Sequence, residues 1–90
     1  MSYTIKWEEN NLEKLEELLN FIICELVETK EAVKISSVKR GENIVLKVRV
    51  AEGELGRVIG KNGLTANAIR GVIQAAGVKE QLDINVEFLD

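Results

Sequence analysis

The reading of this chain turns on Val58-Ile59-Gly60-Lys61-Asn62-Gly63, two glycines flanking a lysine and an asparagine between two apolar helical patterns. Each glycine inside or beside a helix costs roughly 0.5–1 kcal/mol relative to alanine. Two of them in a tight helix-to-helix turn imply a sharp backbone bend or a close approach from outside the chain. Without a Cβ at Gly60 or Gly63, a polyanion can reach the main-chain N–H groups at the start of the next helix. There the macrodipole favours negative charge by about 0.3–1 kcal/mol. Lys61 sets a mobile positive charge over the same spot. Taken alone, the loop fits a glycine turn with a solvated lysine equally well, because short glycine patterns recur by chance.

Upstream of the loop, Leu55, Val58 and Ile59 are spaced as on a short helix. Downstream, Ala68, Ile69, Val72, Ile73 and Ala76 form one apolar face of a second helix, with Gly77 as its predicted stop. Before the short helix comes a cleanly alternating strand. Ile44, Leu46, Val48 and Val50 point one way, and Val45, Lys47 and Arg49 point the other, with Lys47 and Arg49 expected in solvent. Residues 39–43 read as a hairpin connection to a strand over Val33 to Val38. A first helix is predicted from Asn10 or Asn11, with Asn10 and Glu13 at capping-box spacing, to about Thr29. Leu12, Leu15, Leu18, Leu19, Ile22, Ile23 and Leu26 make its stripe, and Glu13, Glu17 and Glu28 its solvated side. Leu82, Ile84, Val86 and Phe88 alternate in a last strand. The order is helix, strand, strand, helix, helix, strand. It predicts an α+β domain, a three-stranded sheet covered on one face by three helices.

Ninety residues, 46% of them apolar and none proline, make one domain with a modest core. A single cysteine, Cys24, fits a reducing compartment. There is no basic segment followed by an apolar run at the N-terminus and no stretch of membrane-spanning length, so a cytoplasmic protein without membrane insertion is expected. The net charge of −3 conceals a segregation. Residues 1–33 hold three basic and eight acidic side chains, and residues 80–90 hold four acidic and no basic ones. Residues 34–79 hold nine basic against three acidic, which gives a local positive field on an acidic whole.

Enzymatic readings find little support. The chain has no histidine, a single cysteine, and serine only at Ser2, Ser36 and Ser37 with no base nearby in sequence. Its carboxylates cluster on a helix face expected in water, where no desolvation tunes them. Gly56-Arg57-Val58-Ile59-Gly60-Lys61-Asn62 echoes a Walker A loop. It is one residue short, has Asn62 where a metal-binding hydroxyl belongs, and lies between helices. No Gly-x-Gly opens a helix after a strand, so the dinucleotide fingerprint is also missing. No cofactor, metal or small-molecule substrate is expected.

Leu55-Gly56-Arg57-Val58-Ile59-Gly60-Lys61-Asn62-Gly63, followed by Thr65-Ala66 and Ala68-Ile69-Arg70, resembles the core of a KH domain. A helix and strand ahead of that core is the type II order. The chain is similar, from about Leu15 to Phe88, to the small bacterial stand-alone KH proteins of the KhpA family. Leu64 stands where members of that family often carry a further basic residue. Residues 1–11, with Tyr3, Ile5 and Trp7 alternating, form an N-terminal extension outside the resemblance, leaving residues 12–90 as a single KH domain.

The resemblance implies a single-stranded RNA-binding protein that clamps the backbone of about four unpaired nucleotides. Gly60, Lys61, Asn62 and Gly63 would hold phosphates, while Val58, Ile59 and Ile69 would floor or wall a groove for the bases, with the core the favoured place for Ile69. Arg57 and Arg70 would border it as cations or stand as solvated helix charges. It also implies a second KH-containing protein, or a second copy, as partner in post-transcriptional regulation or RNA chaperoning. With 4% aromatic residues, base stacking on rings is a minor source of affinity. The rival reading is a protein-interaction module on the same scaffold, favoured by the acidic total charge, by Leu64, and by Phe21 and Cys24 with Tyr3 and Trp7.

Overall fold

Leu15, Leu19 and Ile23 recur every four residues, a spacing that gathers them on one side of a helix, and all three are buried, as is Val27 just beyond the helix end. That stripe lays the first helix, α1 (Ser2–Leu26), over a sheet. The computed structural model describes the backbone of residues 2–89 and the side chains of residues 11–89. After α1 and a short 3₁₀ turn at Lys30–Ala32 come β1 (Lys34–Arg40), β2 (Asn43–Arg49), α2 (Leu55–Ile59), α3 (Leu64–Lys79) and β3 (Asp83–Leu89). The predicted order is the observed one.

Strand order is β1-β2-β3, with β1 antiparallel to β2 and β2 parallel to β3. The register puts Ile44, Leu46 and Val48 beside Ile84, Val86 and Phe88 on the face that the helices cover. A parallel pair needs a crossover, and here α2, the glycine loop and α3 supply it. Ile69 and Ile73 of α3 complete the core between the layers.

Three expectations need correction. First, α1 starts at Ser2 and ends at Leu26, so Asn10 and Asn11 are interior helix positions and not caps. Asn11 continues the buried stripe, 2% exposed, and its Nδ2 has no hydrogen-bond partner among the described residues. The side chains of Tyr3, Ile5 and Trp7 lie outside the described residues. Second, the buried face of α3 is Ala66, Ile69, Ile73 and Gly77, while Ala68 and Val72 face outward. Third, Gly77 does not stop the helix, which runs on to Lys79. A Cβ there would stand 2.8 Å from Ile84 Cγ1 and 3.0 Å from the Leu82 carbonyl, so the glycine lets α3 approach β3. The reversal falls at Gln81, with φ +63°. Val45 lies on the uncovered side of the sheet, as its parity predicts, and on the central strand it is only 6% exposed. Its cross-strand neighbours there are Val38 and Asn85.

Candidate nucleic-acid interface

The turn from α2 to α3 is built by backbone geometry. Gly60 closes α2 by donating its N–H to the Gly56 carbonyl at 2.9 Å, then adopts φ +75° and ψ 174°, conformations essentially restricted to glycine. A Cβ at this position would lie 2.7 Å from Thr65 Cβ, with Thr65 Oγ1 nearer still. Lys61–Gly63 form one 3₁₀ turn, in which Gly63 N–H donates to the Gly60 carbonyl at 3.2 Å. Asn62 (φ 58°) and Gly63 (φ 75°) are both left-handed, and asparagine is among the few side chains that accept this region. Gly63 then caps the 16-residue α3. Lys61 and Asn62 are exposed at the start of a helical turn, where N–H groups have no partner further back in the turn.

The loop therefore presents an exposed lysine, an exposed amide side chain and main-chain donors at the positive end of α3. Of the predicted groove residues, Val58 is 0% exposed and props α2 from beneath. Ile69 is likewise core, as the sequence allowed. Ile59 alone of these three is partly exposed.

Arg57 and Arg70 are both engaged. Arg57 pairs with Glu28 at 2.6 Å across the surface. Both partners are exposed, so the pair is worth about 0–1 kcal/mol and is readily exchanged for another anion. Arg70 reaches from α3 to the free edge of β3, donating from Nε to the Val86 carbonyl at 3.3 Å and from a guanidinium NH₂ to Asn67 Oδ1 at 3.2 Å. Its guanidinium lies 5.1 Å from the Phe88 ring centroid, within cation–π range. Leu89 offers its carbonyl to Val50 of the neighbouring strand line, so by alternation Ile84, Val86 and Phe88 turn theirs to the open edge. The strand beside the loop-flanking helices is thus β3, and Arg70 crosses the gap between them.

Glu54, just ahead of α2, is a contributor that the sequence reading missed. Its carboxylate, 9% exposed, accepts from Glu28 N–H at 2.6 Å and from Thr29 N–H at 3.1 Å. These bonds, Glu28 first, hold its pKa below the ordinary value against the opposing effect of burial. The chain end of α1 and the start of α2 are fastened together in this way, which fixes the base of the loop. The only local sign in the sequence is an acidic residue one position before a helix, and its partners are 25 and 26 residues away.

Among the described residues no group of three or more His, Cys, Asp or Glu is placed to hold a metal. None of the described helices is long and apolar enough to cross a membrane. A family model described as KhpA/KhpB, KH domain, matches residues 16–88. The chain is 41% identical over 75 residues to the RNA-binding protein KhpA of Clostridium acetobutylicum, covering 83% of this chain and 100% of that one. It is 34% identical over 76 residues to the RNA-binding protein KhpA of Bacillus subtilis, covering 84% and 94%. Against the RNA-binding protein KhpA of Borreliella burgdorferi the identity is 32% over 74 residues, covering 82% and 90%. No solved structure matches.

Proposed function

The chain belongs to the KhpA/KhpB KH-domain family, and from that premise we propose that it binds single-stranded RNA by clamping the sugar–phosphate backbone at Gly60–Gly63. What carries the reading is the loop itself. A turn in which one glycine has no room for a Cβ, and the next two residues project outward, leaves main-chain donors open to a phosphate. Lys61 supplies the charge and Asn62 a side-chain amide. Ile59 offers apolar contact to a base, and Arg57 and Arg70 border the path, Arg57 by releasing Glu28. Val58 acts from below, holding α2 in place. The relatives' names, RNA-binding protein KhpA, support the substrate class.

Two or three phosphate contacts give a log affinity against log salt slope of roughly −1.4 to −2.1 for single strands. Such a clamp is weak, salt-sensitive and loosely specific, and useful affinity comes from a second domain, in another copy or another KH-containing protein. We place the protein in the cytoplasm as a non-enzymatic post-transcriptional regulator or RNA chaperone. A second reading, an interaction module on the KH scaffold, is favoured by one observation. Leu64, Val72 and Val78, exposed by 73%, 51% and 75%, stand with Ala68 and Ala75 on the outward side of α3.

The double substitution Lys61→Asp/Asn62→Asp separates the two. Aspartate tolerates the left-handed backbone at position 62, so the fold survives. Titrating fluorescent single-stranded RNA at two salt concentrations is expected to show saturable, salt-dependent binding by the wild type and none by the variant, with circular dichroism unchanged. Equal binding by both proteins would overturn the clamp, and oligomerisation lost with RNA binding would overturn the separation of the two surfaces.

A further inference from the structure

The face of the sheet turned away from the helices carries a charge pattern that the clamp does not use. Register places Lys34 and Arg40 of β1 and Lys47 and Arg49 of β2 on this side, with no acidic residue on either strand's share of it. The acidic residues of the face, Asp83 and Glu87, stand on β3. Lys34 and Arg49 are directly opposite each other in an antiparallel pair, an arrangement that like charges destabilise. Among the described residues Lys34, Arg40 and Lys47 make no ion pair. Lysines on an edge strand are common protection against sheet-to-sheet pairing, and that accounts for Lys34 and Arg40 on β1. It does not account for Lys47, which stands on the central strand in register with Glu87 yet, among the described residues, makes no ion pair with it.

The clamp, carried by the helices on the opposite side of the sheet, stands at one end of this face. Gly77 meets Leu82 and Ile84, and Arg70 meets Val86 and Phe88, so α3 runs antiparallel to β3. Seven residues of helix before Arg70 reach back about 10 Å, the same as three residues of strand beyond Val86. The glycine loop therefore stands over the end of the sheet where Leu89, Arg49 and Lys34 share a row.

We propose that the open β1–β2 face is a second RNA-backbone surface, onto which a strand held by the clamp continues past the Lys34/Arg49 end towards Lys47 and Arg40. This rests on the RNA reading above and extends it from about four nucleotides to a longer strand. Recognition is of phosphate alone, because the face offers cations and no aromatic ring.

The test compares a tetranucleotide with an unstructured strand of about twelve nucleotides, within the span of single-strand sites. The variants are Lys34→Gln/Arg40→Gln/Lys47→Gln and Lys61→Asp/Asn62→Asp. Removing three phosphate contacts makes the salt slope on the long strand shallower by about 2.1. Between 50 and 200 mM salt the wild-type affinity then falls about twentyfold further than the triple variant's. The tetranucleotide is bound equally by the wild type and the triple variant. Single Lys47→Gln, with a slope shallower by about 0.7, gives the same answer if the triple variant does not fold. Unchanged slope and affinity within twofold on the long strand, while Lys61→Asp/Asn62→Asp abolishes tetranucleotide binding, overturn the second surface and leave the clamp standing. Absence of any RNA binding by the wild type overturns both.

Discussion

Three glycines show how differently one residue type is used. Gly60 and Gly63 sit where the backbone is left-handed, and Gly77 sits in ordinary helix where another strand is too close for a methyl group. The consequences of adding that methyl differ accordingly. Gly60→Ala is expected to lose about 1–3 kcal/mol, from backbone strain and collision with Thr65, and to weaken RNA binding because the loop must shift. Gly77→Ala is expected to lose a comparable 1–3 kcal/mol by overpacking against Ile84, while the folded fraction binds RNA as before. Urea unfolding and RNA titration of both variants check this. A Gly60→Ala protein as stable as the wild type would contradict the geometry of the loop. The motif glycines were legible in the sequence because their spacing is local. The role of Gly77 was misread as a helix stop, because its reason is a contact with Ile84, brought near only by the fold.

At the scale of elements, α1 and α2 are joined by one carboxylate. Glu54 accepts from the N–H groups of Glu28 and Thr29, and those bonds keep it ionised below its ordinary pKa. A carboxylate whose pKa is depressed by folding stabilises the fold above its unfolded value, and that contribution is lost as pH falls through the folded value. Glu54→Gln is therefore expected to be less stable than the wild type at neutral pH, and the two stabilities to converge in acid. Urea midpoints across a pH series measure it, and parallel curves would contradict the assignment. Element order and strand alternation were readable because apolar residues recur at periods fixed by backbone geometry. The start of α1 was misplaced because Asn10 and Glu13 match a capping pattern that the continuous helix overrides. The face of α3 was read as rotated from its true position because Ala68 and Val72 are apolar yet outward. Periodicity cannot tell a core stripe from an exposed apolar one alongside it.

For the molecule as a whole, charge is sorted by element, between strands of one sheet as well as between sheet and helices. Acidic residues crowd α1 and the C-terminal strand, while Lys61 marks the loop and four cations share the open β1–β2 face. The central basic segment was visible as a run of composition. Its division between a loop and an uncovered sheet face was not, since it depends on which way each strand residue points and on where α3 begins. An acidic protein can hold RNA under these conditions because phosphate senses the nearby field, screened over about 8–10 Å at moderate salt, and not the total charge.

The measurement that tests the clamp most directly is a nuclear magnetic resonance titration of the ¹⁵N-labelled protein with a single-stranded tetranucleotide. The predicted result is that amide shifts concentrate at Gly60–Gly63 and along the Arg70–Val86–Phe88 edge, with the outward side of α3 unmoved. Shifts confined to Leu64, Val72 and Val78, or none at saturating RNA, would contradict it.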